Sequence, residues 1–316
     1  MPTNLDIRPY AADDETQVLS VWNEAMWADP IDATTWRSRY LLDQNFSPDS
    51  CLVAVAAAAG SVEGFVLGMT DTNASPLNDA WVIGFGVRES RRREGIGAAL
   101  MATLEATWRP AGVGTIHYGP YIPSYVAPGI DVAAYADAVL FLNAIGAREL
   151  GRPVSMKASL TGYRRHEDID RLRSKHTDSG ILVRPAEPVD IVPLLEFLKR
   201  HFPHWRNDAI SVLRDLFAGD PQSVTMLVAE ANGVIIGYAQ TRNERFGPFG
   251  VNEEYRGQGV GAVLLSETLV VMRAHGFHSA WFLWTSDRTA RLYQQHGFEQ
   301  ARRFAMMDKT LNTNES

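Results

Sequence analysis

Residues 87–97 read VRESRRREGIG, and residues 251–261 read VNEEYRGQGVG. Both stretches follow one order: Val, four residues, Arg, two residues, Gly, one residue and Gly. Each follows an apolar run that is typical of a strand, and each opens an apolar helix. Such a turn is suited to hold an anion, because the first N–H groups of a helix have no intrahelical partner and the helix dipole is positive there. The repetition therefore predicts two copies of one phosphate-binding domain.

The composition is that of a folded protein with room for two domains. The chain has 316 residues, of which 46% are hydrophobic and 21% are charged. The net charge of −7 argues against general nucleic-acid binding, which needs a basic surface. The single cysteine, Cys51, cannot form an internal disulfide, and no run of 18 apolar residues predicts a membrane helix. These features predict a cytoplasmic protein with neither nucleic-acid nor membrane partners.

The two halves of the chain also begin alike. Residues 7–14 and residues 183–190 each indicate a short strand, a proline and an acidic helix start, followed by an amphipathic helix. Two strands come next, and in the second half Asn232-Gly233 marks the hairpin turn between them. A helix, a strand, a second helix and a closing strand then follow the glycine turn in both halves.

Two common phosphate-binding motifs do not fit this pattern. A P-loop needs Lys followed by Ser or Thr after its last glycine, and neither copy has these residues. Residues 257–261 are compatible with a dinucleotide-binding turn, but that fold needs parallel strands that alternate with helices. The predicted hairpin before the turn does not match that order. A nucleotide-dependent oxidoreductase remains as an alternative that NAD binding would reveal.

The order of elements, the Arg-x-x-Gly-x-Gly turn and the ending RLYQQHGF at residues 291–298 resemble the GNAT superfamily of acyl-CoA-dependent N-acyltransferases. The resemblance covers nearly the whole chain as two consecutive copies. It implies the α/β (α+β) fold class, with a mixed, mostly antiparallel twisted sheet flanked by helices in each copy. The predicted division is an N-terminal GNAT-like domain at 1–160, a linker at 161–180 and a C-terminal GNAT domain at 181–316.

The resemblance also implies a co-substrate, acetyl-CoA. Backbone N–H groups of each turn would bind its pyrophosphate, and the preceding strand would bond to its pantetheine arm. No Cys/His cluster has metal-ligand spacing, so no metal is expected. The residues concerned in the C-terminal copy are Val251, Arg256, Gly257, Gln258, Gly259, Val260 and Gly261. The residues concerned in the N-terminal copy are Val87, Arg92, Arg93, Gly95 and Gly97.

Acyl transfer to an amine needs a base for the amine and an acid for the departing thiolate. The resemblance places the acid on a tyrosine four residues before the final glycine, which is Tyr293 in the C-terminal copy. Leu142 has the matching position in the N-terminal copy and cannot donate a proton. Glu244, beside the strand that leads to the C-terminal turn, is the candidate base, with a surface role as its alternative. Tyr125 and Tyr135 are candidates in the N-terminal copy that the sequence does not favour.

These assignments predict an N-acetyltransferase whose chemistry lies in the C-terminal copy, beside a degenerate N-terminal copy. The expected acceptor is a primary amine of a small molecule or a peptide. A non-catalytic protein that binds or senses acyl-CoA is the alternative. The sequence leaves three matters open: the identity of the acceptor, acetyl-CoA binding by the N-terminal copy, and the choice between monomer and homodimer.

Overall fold

The computed structural model of the chain describes residues 5–71, 78–122 and 124–311. Its strands, numbered in chain order, are β1 Leu5–Pro9, β2 Cys51–Ala56, β3 Val62–Thr70, β4 Asp79–Val87, β5 Thr115–Tyr118, β6 Ile130–Asp131, β7 Arg148–Gly151, β8 Val154–Ser159, β9 Ile181–Pro185, β10 Val224–Ala231, β11 Val234–Arg242, β12 Arg245–Val251, β13 Ser279–Thr285 and β14 Glu299–Thr310. Its helices are α1 Glu15–Ala25, α2 Ala33–Trp36, α3 Ile96–Trp108, α4 Ala136–Ala144, α5 Glu167–Asp178, α6 Ile191–His201, α7 Arg206–Ala218, α8 Val260–Ala274 and α9 Asp287–Gln294.

The contacts divide the chain into two compact units. The N-terminal unit comprises Met1–Pro153 and Arg303–Ser316, and the C-terminal unit comprises Val154–Arg302. In the N-terminal unit, β1, β2, β3 and β4 pair antiparallel in that order, and β4 pairs parallel with β5. In the C-terminal unit, β9, β10, β11 and β12 pair antiparallel, and β12 pairs parallel with β13. The predicted fold class, with mixed and mostly antiparallel sheets flanked by helices, is confirmed.

Each unit includes a strand that the division by sequence repeat places in the other copy. Residues 303–310 of β14 belong to the N-terminal unit, where β14 pairs with β5 and β7. Strand β8 belongs to the C-terminal unit and pairs antiparallel with β13. The segment 161–180, predicted as a linker, holds helix α5. The compact units thus do not coincide with a division by sequence repeat, because strand pairing depends on contacts between residues far apart in the chain.

The sheet of the N-terminal unit has a hydrophobic core on each face. Leu100, Leu104 and Trp108 of α3 belong to one core, which also contains Met307 of the completing strand. Val18, Val21 and Trp22 of α1 belong to the other, and the Trp22 ring stacks on Phe65. These helices bury apolar stripes at helical spacing, which supplies most of the driving force for their packing.

An arginine near the end of β1, and another near the end of β9, each binds a buried aspartate with two hydrogen bonds. Arg8 Nη1 and Nη2 donate to Asp14 at 2.7 and 2.8 Å, and Arg184 does the same to Asp190 at 2.6 and 2.9 Å. The hydrogen bond from arginine lowers the pKa of each aspartate below its ordinary value of 3.8. The two copies therefore fix the entry to their first long helix in the same way.

Replacing Asp190 by asparagine should make the stability of the C-terminal unit less sensitive to acid. Because the folded-state pKa of Asp190 is lowered, its contribution is complete above its unfolded pKa and is lost as the pH falls through the folded pKa. We expect Asp190→Asn to lower the free energy of unfolding at neutral pH by about 1–3 kcal/mol, with a smaller loss in acid. Urea unfolding of the wild type and the variant at neutral and at acid pH measures the two free-energy differences. An equal loss of unfolding free energy at the two pH values would contradict the prediction.

Candidate functional site

Strands β4 and β5 of the N-terminal unit separate after three paired residues. Their last pair is Trp81 with His117, whereas β4 continues to Val87. A bulge in β4 at Ile83 lies just past this point. A bulge bends its strand and interrupts the hydrogen bonds to the neighbouring strand. Main-chain groups that are left without a cross-strand partner can bind a ligand. The described part of the unit thus has a V-shaped opening between two parallel strands.

A small cavity lies where the two strands part. Its volume is about 70 Å³, and its walls include residues 82–85 of β4, Tyr118 and Met26. Most of this lining is apolar. Asp29 and Tyr135 also line it, and they provide a carboxylate and a hydroxyl.

A larger cleft shares lining residues with this cavity. Its volume is about 510 Å³, within the range of about 300–1,000 Å³ for small-molecule sites. One wall is the glycine turn with Arg91, Arg92 and Arg93, and the opposite wall is residues 133–138, which lead into α4. The residues that line both the cleft and the cavity are Ala25, Phe85, Tyr135 and Ala138.

The glycine turn of the N-terminal unit presents unpaired main-chain donors. Gly95 is the N-cap of α3 with φ +83°, and no side chain caps the helix there. The N–H groups of the first helical turn, residues 96–98, have no intrahelical partner. Arg93 has φ +66°, a left-handed conformation that is costly for a residue other than glycine and is enriched at functional sites. This turn can bind a phosphate group through N–H groups and guanidinium groups together.

Tyr135, at the start of α4, is tied to a buried carboxylate. Its hydroxyl donates a hydrogen bond to Asp29 Oδ2 at 2.9 Å and accepts one from the Ala28 N–H at 3.0 Å. Asp29 is only 6% exposed, and its carbonyl accepts a hydrogen bond from the Trp22 indole at 2.9 Å. The arrangement places a proton donor and a proton acceptor in contact beside the cavity.

The glycine turn of the C-terminal unit has the same backbone conformation but different surroundings. Gly257 and Gly259 have φ +76° and +87°, matching Arg93 and Gly95. Helix α5 packs on this turn, so a Cβ atom on Gly259 would lie 2.5 Å from Leu172 Cδ2. A Cβ atom on Gly95 would meet nothing within 4 Å. At this glycine, the N-terminal turn is open and the C-terminal turn is covered by Leu172.

Tyr293 lies in an aromatic cluster of the C-terminal unit. It is 6% exposed, and its ring centroid lies 4.2 Å from that of Phe282 and 5.4 Å from that of Phe298. Burial raises the pKa of its hydroxyl. Leu142, its counterpart in the N-terminal unit, is fully buried as well. This helix position therefore faces a core in both units, and the catalytic role of Tyr293 stays a prediction.

Glu244 is held by the start of β13. Its carboxylate accepts hydrogen bonds from the N–H groups of His278 and Ser279, at 3.2 and 3.0 Å, and from the Ser279 hydroxyl at 2.6 Å. The Ser279 hydroxyl lowers the pKa of Glu244, which makes it a weaker base. The strand before the glycine turn also differs between the two units. Pro248 of β12 occupies the position of Gly84 of β4 and has no N–H to donate.

The remaining predicted residues belong to the turns and their preceding strands. Val87 and Val251 end β4 and β12, and the Nε atoms of Arg92 and Arg256 donate to their carbonyl groups at 3.4 and 3.2 Å. Gln258 is exposed and donates from Nε2 to the Glu254 carbonyl at 2.9 Å. The other positions form the first turn of each helix: Gly97, Val260 and Gly261.

The sequence did not favour Tyr135 and did not single out Asp29. Tyr135 directly precedes α4, whereas the position that corresponds to Tyr293 by offset from the closing glycine is Leu142. Asp29 and Tyr135 are 106 positions apart, so nothing local predicts their hydrogen bond. The one available signal is a tyrosine at the start of the helix that faces the glycine turn.

Two family profiles match the chain, one in each half. The acetyltransferase (GNAT) family profile matches residues 18–118, and the acetyltransferase (GNAT) domain profile matches residues 222–300. No curated protein matches the sequence. None of the described helices has the length and apolar character needed to cross a membrane. Within the described ranges, no group of three or more His, Cys, Asp or Glu side chains is placed to hold a metal ion.

Solved structures share the fold over nearly the whole chain. A GCN5-related glucosamine N-acetyltransferase region of a fungal multi-domain β-N-acetylglucosaminidase has a TM-score of 0.81 at 18% identity; 98% of this chain is covered, which spans 38% of that protein. A GCN5-related N-acetyltransferase from Sphaerobacter thermophilus has a TM-score of 0.70 at 18% identity, with 98% and 96% covered. A tandem GNAT protein of clavulanic acid biosynthesis has a TM-score of 0.62 at 19% identity, with 97% and 98% covered. With a GNAT match in each half and the same fold in both units, the chain belongs to the GNAT superfamily of acyltransferases as a tandem of two GNAT domains.

Proposed function

We propose that the protein is an acetyl-CoA-dependent N-acetyltransferase whose active site lies in the N-terminal unit. The observation that carries this proposal is that the cleft at the glycine turn and the cavity beside Tyr135 share lining residues. A pyrophosphate fits the turn, because Arg91, Arg92 and Arg93 line the cleft together with the unpaired N–H groups of α3. The C-terminal turn instead contacts Leu172 of α5. Catalysis is thus proposed for the N-terminal copy, whereas the sequence favoured the C-terminal copy.

The size of the cavity supports acetyl as the transferred group. Its volume of about 70 Å³ is small beside the volume of about 510 Å³ of the adjoining cleft. A short acyl group suits the smaller space better than a long alkyl chain does. The apolar walls, which include Val82, Phe85 and Met26, suit a methyl group.

The Tyr135–Asp29 pair has the chemistry for both proton transfers. The neutral amine attacks the thioester carbonyl carbon, and its nitrogen then loses a proton to the Asp29 carboxylate. The C–S bond breaks, and Tyr135 gives its proton to the CoA thiolate. The Ala28 N–H stabilises the resulting phenolate, and the 2.9 Å hydrogen bond returns the proton from Asp29 to Tyr135. Asp29 is then a carboxylate again, and Tyr135 is a neutral phenol again.

The acceptor is proposed to be a primary amine of a small molecule or a peptide. Asp29 favours an amine over an anionic acceptor, because its carboxylate is buried beside the reacting atoms. A panel of such amines with acetyl-CoA, read out as CoA release, tests the proposal. Turnover of at least one amine is expected. Tight acetyl-CoA binding without turnover of any amine would support a non-catalytic sensing protein instead.

Acyl chain length provides a second test of the same site. Butyryl-CoA should react at least about tenfold more slowly than acetyl-CoA in kcat/KM, because each methylene that a pocket cannot accommodate costs about 1–3 kcal/mol. Met26→Ala should narrow this ratio by enlarging the cavity. The readout is the ratio of kcat/KM for the two thioesters with one amine. An unchanged ratio in Met26→Ala would show that the acyl group lies elsewhere.

A further inference from the structure

Arg93 and Gly257 occupy the same place in the two glycine turns. Their φ angles are +66° and +76°, so the backbone is left-handed at both positions. Glycine adopts this conformation without a steric penalty, whereas a residue with a Cβ atom is strained in it. The N-terminal unit thus carries an arginine at a position where the backbone favours glycine.

The contacts of Arg93 do not offset this strain. Its side chain is 86% exposed, so it adds little to the hydrophobic core. In the described part of the chain its charged partner is Asp137, whose Oδ2 atom lies 3.8 Å from Arg93 Nη2 and whose side chain is 81% exposed. Exposed ion pairs contribute little to stability. Strain that packing does not explain points to a functional role.

The side chain of Arg93 extends across the cleft. Arg93 belongs to the wall formed by the glycine turn, and Asp137 belongs to the opposite wall as the second residue of α4. The other two arginines of the turn are held close to it, by the Glu94 carboxylate and the Val87 carbonyl. An anion at the exposed side of the cleft would therefore meet Arg93.

The C-terminal unit carries an arginine on the other of these two elements. Counted back from the closing glycine of each unit, Asp137 corresponds to Arg288, and each is the second residue of its helix. The turn and the helix thus provide Arg93 and Asp137 in one unit, and Gly257 and Arg288 in the other. Each copy has one arginine in this pair of positions. This pattern favours an anionic ligand at this place in the fold.

We propose that Arg93 binds the 3′-phosphate on the ribose of CoA, and that Asp137 holds the guanidinium over the cleft until the phosphate replaces it. The inference rests on the proposed function, in which the N–H groups of α3 bind the pyrophosphate. The phosphate that remains is a monoester with about two negative charges at neutral pH. It is a stronger partner for a guanidinium than an exposed carboxylate is. Arg93 therefore selects CoA thioesters that carry this phosphate.

Calorimetry of the full chain with acetyl-CoA and with acetyl-3′-dephospho-CoA tests this assignment, because the two ligands differ only in that phosphate. The wild type should bind acetyl-CoA about five- to thirtyfold more tightly. Arg93→Gly introduces the residue of the C-terminal turn. It should make the two affinities nearly equal by weakening the binding of acetyl-CoA alone. Its Tm should equal or exceed that of the wild type, because glycine relieves the strain at positive φ.

Two further variants complete the experiment. Asp137→Asn removes the competing carboxylate and should tighten the binding of acetyl-CoA more than that of the dephospho ligand. Arg288→Ala changes the matching position of the C-terminal unit and should leave the preference of the wild type intact.

Two results would overturn the inference and leave the proposed function standing. One is equal affinity of the wild type for the two ligands. The other is an equal loss for both ligands in Arg93→Gly, since Arg93 would then serve the pyrophosphate. Failure of the wild type to bind either ligand would contradict the proposed function as well.

Discussion

Tyr135→Phe is expected to lower kcat for acetyl transfer by about 10²–10⁴-fold, the usual contribution of general acid–base catalysis. The substitution removes the one hydroxyl that contacts both Asp29 and the Ala28 N–H, and it keeps the aromatic ring that lines the cavity. Without this proton, the CoA thiolate must leave as an anion. The affinity for acetyl-CoA should change little, because the turn and its arginines are untouched. Steady-state kinetics and calorimetry measure the two quantities.

Tyr293→Phe provides the matched control in the other unit. Its hydroxyl belongs to a side chain that is 6% exposed among phenylalanine rings, so we expect kcat to stay within a few fold of wild type. Asp29→Asn should reproduce the loss seen in Tyr135→Phe, since an amide cannot accept the amine proton. A large loss in Tyr293→Phe with no loss in Tyr135→Phe would return the chemistry to the C-terminal unit.

Gly95→Glu is expected to weaken acetyl-CoA binding by about 10- to 100-fold. A carboxylate at the N-terminus of α3 would face the pyrophosphate, and like charges about 4 Å apart repel by about 1–4 kcal/mol at the dielectric of water or a protein surface. There is space for the side chain, because a Cβ atom on Gly95 meets nothing within 4 Å. The loss therefore reports charge in the anion site rather than a steric clash.

Two further variants separate charge from backbone strain. Gly95→Asn carries the same φ of +83° on a residue type that tolerates it, without a charge, and should retain most of the affinity. Gly259→Glu changes the matching glycine of the C-terminal turn and should leave acetyl-CoA binding intact, although contact with Leu172 should lower the stability. Equal losses of affinity in Gly95→Glu and Gly259→Glu would mean that both turns bind acetyl-CoA.

The fold and the anion-binding turns could be predicted because their signals are local. The glycines at 95 and 259 are required by positive φ at a helix N-cap, and the strands and helices around them follow short-range periodicity. The exchange of β8 and β14 between the units could not be predicted in this way. Strands β8 and β14 could each pair with β5 or with β13, because β5 and β13 are equivalent strands of the two copies. Packing between distant parts of the chain decides which pairing forms.

The candidate site was harder to predict, because it depends on which turn remains open. Both turns have the same backbone, and the sequence of the C-terminal copy carries the fuller motif. The difference arises from Leu172, which lies 87 residues before Gly259 and contacts it only in the folded chain. Tyr135 was not favoured for a similar reason, since its partner Asp29 lies just after the end of α1, 106 positions away in the sequence.

Amide hydrogen exchange with and without acetyl-CoA tests most directly whether the N-terminal unit is the acyl-CoA site. The unpaired N–H groups of residues 96–98 exchange freely unless a ligand binds them. We predict that acetyl-CoA protects peptides that cover this turn and the start of α4, and that peptides covering residues 256–261 stay unchanged. Protection confined to residues 256–261 would contradict the account.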